Sequence, residues 1–207
     1  QYNSVIKENE ASSGVNLVIH EIKDDNHKTI AEAVNKTGAD LVIAPANKNT
    51  QKIVNDIDFP VLSITENFNN RPIRKIVMPL HDEPTTRQKI PYACGVAKNF
   101  GAEIYTIVVS SANEEEQNLL KSYAYQAEKY MTQHNVSHNY EMTIGKKVEE
   151  ETIEYAKKID ADLIIIMNDR DGGGFFGLAL SDKMIRTSPI PLMIVEPKET
   201  NVSYARL

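Results

Sequence analysis

The chain contains an internal repeat, and this repeat constrains its fold more than any other feature. The segment KTGADLVIAPAN at 36–47 matches KIDADLIIIMND at 158–169, with a constant offset of 122 residues from 36 to 158. Further on, FPVLSI at 59–64 matches IPLMIV at 190–195, with an offset of 131 from 59 to 190. The second copy is therefore longer between its last two apolar segments, where the stretch NDRDGGGFFG lies at 168–177.

Each copy has the pattern of alternating strands and helices. Its strands are short, β-branched and apolar on both faces, which is typical of a parallel sheet covered on both sides. Residues 71–198 contain five such strands with helices between them, and residues 1–66 contain the last three strands of the same unit, starting at VNLVIHEI (15–22). We predict an α/β fold, a doubly wound five-stranded parallel sheet at 71–198, preceded by a partial copy at 1–68 and followed by a tail at 199–207.

The partial copy has two explanations. A three-stranded half-sheet leaves an edge and a face uncovered and is not expected to be stable alone. Either the chain was cut from a larger parent, which we favour, or residues 1–66 take their missing cover from the complete unit.

Composition excludes several classes of protein. The formal net charge of −6 argues against a general electrostatic grip on nucleic acid. A single cysteine, Cys94, excludes an intrachain disulfide and fits a reducing compartment, and its place in the apolar pattern with Ile90 and Ala97 predicts a core residue. No apolar run approaches the ~20 residues of a membrane span, so we expect a cytoplasmic protein with no direct membrane insertion.

The complete unit resembles the universal stress protein family. The resemblance rests on four motifs in order: KIVMPL (75–80), AKNFGAEIYTIVV (97–109), ADLIIIM (161–167) and SPIPLMIV (188–195). It implies the five-stranded fold of the adenine nucleotide alpha hydrolase-like type, often in tandem copies. It also implies a homodimer or an intrachain pseudo-dimer in which last strands pair antiparallel. Some members of the family bind ATP and others do not, and catalysis is not general among them.

The resemblance also places a nucleotide site. ATP-binding members carry Gly-x2-Gly-x9-Gly-Ser/Thr after the fourth strand, because main chain must approach phosphate closely there. This chain has Met167 and Arg170 at the first two glycine positions, and Leu178 and Ala179 at the final Gly-Ser/Thr. The glycine triplet Gly172, Gly173 and Gly174 offers other main chain that a phosphate can approach closely. However, the carboxylates of Asp169 and Asp171 would repel a polyphosphate.

The residues at the end of the first strand of the complete unit also indicate whether ATP binds. Members that bind ATP have an aspartate two residues after the proline of this strand, and here Pro79 is followed by His81 at that position. The first copy has no glycine between Ala46 and Phe59, which excludes a phosphate loop there. We therefore expect no cofactor, with ATP and Mg²⁺ as the alternative.

Other signals are weaker. His134 and His138 do not share a helical face with a carboxylate, so we expect no metal site. The strand containing Leu192, Met193, Ile194 and Val195 is expected to be a sheet edge and an interface. Three hypotheses follow: a non-catalytic stress-response module that acts by dimerisation and partner association, an ATP-sensing domain, or the regulatory tail of a larger protein such as a membrane transporter.

Overall fold

The computed structural model describes residues 14–18, 24, 26–65, 68, 71–145, 147–168 and 179–198. The helices are α1 His27–Thr37, α2 Thr50–Asp56, α3 Ile90–Phe100, α4 Glu114–Gln133, α5 Val148–Lys158 and α6 Leu180–Thr187, with a 3-10 turn at Pro84–Lys89 before α3. The strands are β1 Val42–Pro45, β2 Val61–Ile64, β3 Lys75–Leu80, β4 Glu103–Ser110, β5 His138–Ile144, β6 Leu163–Met167 and β7 Leu192–Val195.

The described strands form one sheet in the order β1-β2-β7-β6-β3-β4-β5. The five strands of the complete unit pair parallel, and so do β1 and β2. The predicted α/β fold with a five-stranded parallel unit and additional strands from the first repeat is confirmed.

The junction between the two repeats is an antiparallel strand pair within the chain. β2 pairs with β7 through Val61↔Ile194, Leu62↔Met193 and Ser63↔Leu192. The expectation that the strand at 192–195 is a sheet edge is therefore wrong, because β2 occupies its free side and Leu192, Met193, Ile194 and Val195 are all buried. β1 and β5 are the outer strands of the sheet instead.

The start of the first repeat differs from its prediction. The described part of the strand expected at 15–22 is not a strand, and Val18 is exposed. Residues 19–23 lie outside the described part of the chain. Among the described residues, the first repeat therefore contributes β1 and β2 to the sheet and α1 and α2 to its cover.

Local signals set the ends of the helices. Asn26 and Asn113 accept hydrogen bonds from backbone N–H groups in the first turns of α1 and α4, which would otherwise lack partners. Gly101 ends α3 in the left-handed conformation at φ 64°, which is open to glycine without strain. Pro91 lies in the first turn of α3, where its missing N–H group breaks no helical hydrogen bond.

The sheet separates two hydrophobic clusters. One cluster packs α3 and α4 on the complete unit, and it contains Cys94, whose thiol pKa burial raises to about 11. The other is shared by both repeats: Ala31, Ile53 and Val54 of the first repeat pack with α5 and α6 of the second. Burial of apolar surface in this shared cluster, together with the β2–β7 pair, holds the first repeat on the second.

Candidate functional site

The ligand crevice of an open α/β sheet lies at the carboxyl ends of the strands where the strand order reverses direction. In this sheet that point falls between β3 and β6, which are neighbours although they are far apart in sequence. The predicted site residues Pro79 and His81 lie at the end of β3, and Met167 lies at the end of β6. The fold thus brings these three predicted positions to one edge of the sheet.

Lys89 is buried at the side of the sheet where the carboxyl ends of β3 and β6 lie. The Nζ of Lys89 donates to the carbonyl oxygen of Thr86 at 2.7 Å and to its Oγ1 at 2.9 Å, and both residues are fully buried. Burial lowers the pKa of the Lys89 ammonium to about 7. No carboxylate of the described residues pairs with it, so the charged form has no counter-charge to offset its desolvation.

His81 is the second buried base here. Burial, and secondly the nearby Lys89 charge, lower the pKa of His81 to about 3. The ring is therefore neutral near pH 7, and its Nδ1 lies 3.8 Å from the carboxylate of Asp82, which is mostly exposed. This contact is not an ion pair at that pH, because the imidazole carries no charge.

A hydrogen-bond network centred on Asn168 lies directly after the end of β6. Its Nδ2 donates to Glu196 at 2.7 Å and to Asn55 at 3.0 Å. Its Oδ1 accepts from Gln51 and Ser181, both at 2.9 Å. The side-chain amide has two N–H donors and two lone pairs, so its capacity is filled by protein groups. Asn168 is fully buried and ties α2 of the first repeat to the start of α6.

The structure describes two of the four positions of the family motif, Met167 and Ala179. Met167, at the first glycine position, is buried in the cluster that contains α3 and α4. Ala179 precedes α6 as its N-cap and makes no side-chain capping bond. In the first turn of α6, the buried carboxylate of Asp182 accepts from Nε of Arg186 at 3.0 Å, so an acidic side chain already lies near the positive end of this helix.

Several predicted positions lie outside the described residues. These are Gly172, Gly173, Gly174, Arg170 and Leu178, together with Asp169 and Asp171. Among the described residues no group of three or more His, Cys, Asp or Glu side chains is arranged to hold a metal ion. His134 stacks on Tyr130 with a ring-centroid distance of 4.0 Å, and its Nδ1 lies 2.8 Å from the Tyr130 carbonyl oxygen.

Sequence reasoning missed Lys89 and Asn168. The signal for Lys89 was available, because positions 89, 93 and 97 follow the spacing of one helical face and Ala93 and Ala97 are plainly apolar. Asn168 directly follows an apolar strand, where the first repeat has Ala46 at the same offset. Nothing in the sequence predicted that its partners would come from α2 of the other repeat.

Solved structures share this fold. A universal stress protein from Archaeoglobus fulgidus DSM 4304 aligns with 96% of this chain and 75% of its own, at a TM-score of 0.73 and 16% identity. A protein of unknown function from Pseudomonas aeruginosa PAO1 aligns with 95% of this chain and 76% of its own, at a TM-score of 0.72 and 17% identity. A universal stress protein from Archaeoglobus fulgidus in complex with dAMP aligns with 62% of this chain and 100% of its own, at a TM-score of 0.50 and 16% identity.

The fold and its crevice define a doubly wound α/β protein of the universal stress type. The sequence profile of the Universal stress protein family matches residues 72–196, which is more than half of the chain. The chain belongs to the universal stress protein family. No curated protein matches it. In the part of the chain that the structure describes, no helix is both long and apolar enough to cross a membrane.

Proposed function

We propose that the chain is a non-catalytic universal-stress-type module that acts in a stress response by associating with other polypeptides. One observation carries this proposal: at the end of β6, where the family's phosphate motif begins, the two described side chains are already bonded to or packed against other protein groups. Asn168 has no free hydrogen-bonding capacity, and Met167 is packed into the core. Phosphate binding at this edge would require these groups to leave well-satisfied positions.

A titration with ATP and Mg²⁺ tests the proposal. A ligand that binds the folded state stabilises it by RT ln(1 + [L]/Kd), about 2.7 kcal/mol at a hundredfold excess over Kd. We expect no change in the midpoint of thermal unfolding at millimolar ATP with Mg²⁺. A saturable increase that is absent with Mg²⁺ alone would contradict the proposal.

A second candidate function is nucleotide sensing. It is favoured by the structural neighbour in complex with dAMP and by the unpaired Lys89 ammonium at the crevice. If Lys89 neutralises a phosphate, then Lys89→Met should abolish any stabilisation by ATP, while Lys98→Met on the same helix should leave it unchanged. Equal responses of the two variants would remove this role for Lys89.

Location and assembly belong to the same proposal. A single cysteine that is buried among apolar side chains supports a cytoplasmic location. Because β7 is already paired with β2, a homodimer would have to use another surface than the last strands. Sedimentation of the purified chain across a range of concentrations tests self-association. Attachment to a larger protein as a regulatory tail remains a prediction. The sequence of the gene upstream of Gln1 would test it.

A further inference from the structure

A cavity of about 290 Å³ lies at the amino ends of the second repeat's strands, opposite the ligand crevice. It lies beside the first residues of β6 and β7, and Leu62 of β2 brings the first repeat to its wall. Small-molecule sites have volumes of about 300–1,000 Å³, so this cavity is close to the lower end of that range. Its size suits a single small metabolite.

Most of the cavity wall is apolar. Leu163 is buried at the start of β6, and the other large apolar residues come from β2, from the connection between the repeats and from the segment before β7. They are Leu62, Phe68, Ile73, Ile190 and Pro191. Phe68 is 43% exposed, so part of its side chain is available for contact with a ligand. This wall favours a ligand that carries a branched aliphatic or aromatic group.

The polar part of the wall carries positive and negative charges in equal number. The charged residues are Arg71, Lys157, Asp160 and Asp162. Nε of Arg71 lies 2.5 Å from Oδ1 of Asp162, and its Nη1 and Nη2 each donate to the carboxylate of Asp160 at 3.0 Å. Because these charges sum to zero, the wall does not favour a ligand with a net charge. A zwitterion matches it better, since each of its charges can lie beside the opposite charge of the wall.

Two of these charged groups have capacity left for a ligand. Lys157 is exposed and makes no hydrogen bond or ion pair among the described residues. The side chain of Asp160 is 77% exposed, and each of its oxygens has acceptor sites beyond the one that Arg71 uses. The hydrogen bond from Arg71 lowers the pKa of Asp160, so the carboxylate is ionised near neutral pH.

The position of Asp160 favours a ligand ammonium there. Asp160 follows the C-terminal end of α5, where the partial negative charge of the helix attracts cations. The ammonium of Lys157 is then available for a carboxylate of the same ligand. The two charged groups of the wall therefore fit the two charges of an amino acid.

The first repeat lacks these two charges. At the offset of 122 residues, Asn35 stands in place of Lys157 and Gly38 in place of Asp160. Gly38 and Asp160 both have left-handed backbone, with φ of 65° and 55°, a conformation that glycine adopts more readily than aspartate does. Glycine would suffice to end the helix, so the aspartate at 160 is retained for its carboxylate.

We propose that this cavity is a binding site for a free amino acid with a large apolar side chain, such as leucine or phenylalanine. The carboxylate of Asp160 binds the ammonium of the ligand, and Lys157 binds its carboxylate. The apolar wall packs against its side chain. This binding goes beyond the association function proposed above and does not depend on it, because the cavity and the crevice lie at opposite ends of the second repeat's strands.

Isothermal titration calorimetry of the full chain tests the proposal, with L-leucine and two analogues as probes. Isocaproate lacks the ammonium of leucine, isoamylamine lacks its carboxylate, and both have its apolar side chain. We expect saturable binding of L-leucine and binding of each analogue that is weaker by about tenfold or more, the worth of one charge-assisted hydrogen bond. Glycine, which lacks the apolar part, should not bind in the same range of concentrations.

Matched variants assign the two ends of the ligand. Asp160→Asn should weaken the binding of L-leucine about tenfold and leave that of isocaproate unchanged, whereas Lys157→Met should weaken L-leucine about tenfold and leave isoamylamine unchanged. A general loss of structure would weaken all probes together. Lys158→Met and Asp58→Asn alter exposed groups that do not line the cavity, so both should bind L-leucine as the parent does.

Amide hydrogen exchange locates the ligand. L-leucine should slow exchange at residues 156–163 and leave exchange at the crevice residues 79–82 unchanged. Three results would overturn the proposal: no heat of binding with L-leucine or L-phenylalanine at about 10 mM, equal affinity for leucine and both analogues, or protection at 79–82 instead.

The outcome is separate from that of the ATP titration. ATP binding by a chain that still takes L-leucine in the cavity would remove the proposed function and keep this inference. A chain that binds neither ATP nor L-leucine would do the reverse.

Discussion

β6 and β1 are equivalent strands of the two repeats and lie in one sheet. They differ in burial because the elements that surround them differ. β6 lies between β3 and β7 under two helices, and Ile165 is completely buried there. Among the described strands β1 pairs with β2 alone, and Ile43 is 62% exposed. The comparison shows that an apolar sequence pattern specifies a strand, but not the helices and strands that bury it. The cover comes from segments far away in sequence, which the first repeat does not contribute among its described residues.

The largest expected difference between the repeats is the cost of shortening these two isoleucines. Ile165→Ala should lower the free energy of unfolding by about 2–5 kcal/mol, because it leaves a cavity in a packed core. Ile43→Ala should change it by less than about 1 kcal/mol, since most of the side chain already contacts water. Denaturation by urea measures both values, and equal losses would show that β1 is covered in solution.

Asn168→Ala tests the polar network that joins the repeats. The substitution leaves Gln51, Asn55, Ser181 and Glu196 without a bond that each makes now, at a cost of about 2–4 kcal/mol. Amide exchange in α2 should accelerate more than exchange in α4, because α2 is the first-repeat element that Asn168 holds. Ala46, at the equivalent position of the first repeat, provides the control: Ala46→Ser should leave exchange in α4 unaltered. Uniform acceleration throughout the chain would argue against a specific role at the junction.

The equivalent aspartates Asp162 and Asp40 should differ less in their effect on stability than the residues above. Asp162→Ala removes an acceptor of two backbone N–H groups and of Arg71, so we expect a loss of about 2 kcal/mol in unfolding free energy. Asp40→Ala should change the unfolding free energy by no more than about 0.5 kcal/mol, because Asp40 is exposed. Thermal unfolding of both variants beside the parent checks this, and a comparable loss for Asp40 would mean that it already has a partner.

The buried bases Lys89 and His81 predict that the free energy of unfolding depends on pH. The folded-state pKa of Lys89 is about 7 and its ordinary value is 10.5, so between these values the unfolded chain holds one proton more and stability rises with pH, by at most about 1.4 kcal/mol per unit. His81, with a folded pKa of about 3 and an ordinary value of 6.5, adds a rise across that lower range.

Unfolding free energies measured from pH 4 to 10 test this dependence. Lys89→Met should flatten the rise above pH 7 and leave the lower rise in place. Lys98→Met, which alters a lysine on the same helix, should keep the slope of the parent. A slope that persists unchanged in Lys89→Met would show that the lysine is not buried in solution.

Much of the fold could be predicted because local patterns are strong in the second repeat. The apolar runs at 75–80, 161–167 and 190–195 predicted strands of that repeat. The site was harder to predict: Pro79, His81 and Met167 were chosen from the family motif and lie at the carboxyl ends of β3 and β6, whereas Lys89 and Asn168 were missed. Their burial depends on partners that no local pattern shows, such as Thr86 beneath the 3-10 turn and Gln51 from the other repeat.

The amino-acid sequence by itself determined the repeat, the identity of most strands and helices, and the loss of glycines from the family's phosphate positions. These features depend on side-chain periodicity and on backbone conformations that particular residues permit. The tertiary structure alone decided that β2 covers β7 and that β1 is left as the apolar edge. The physical reason is that strand pairing and burial are properties of neighbours, and a strand carries the same side chains whether or not a neighbour is present.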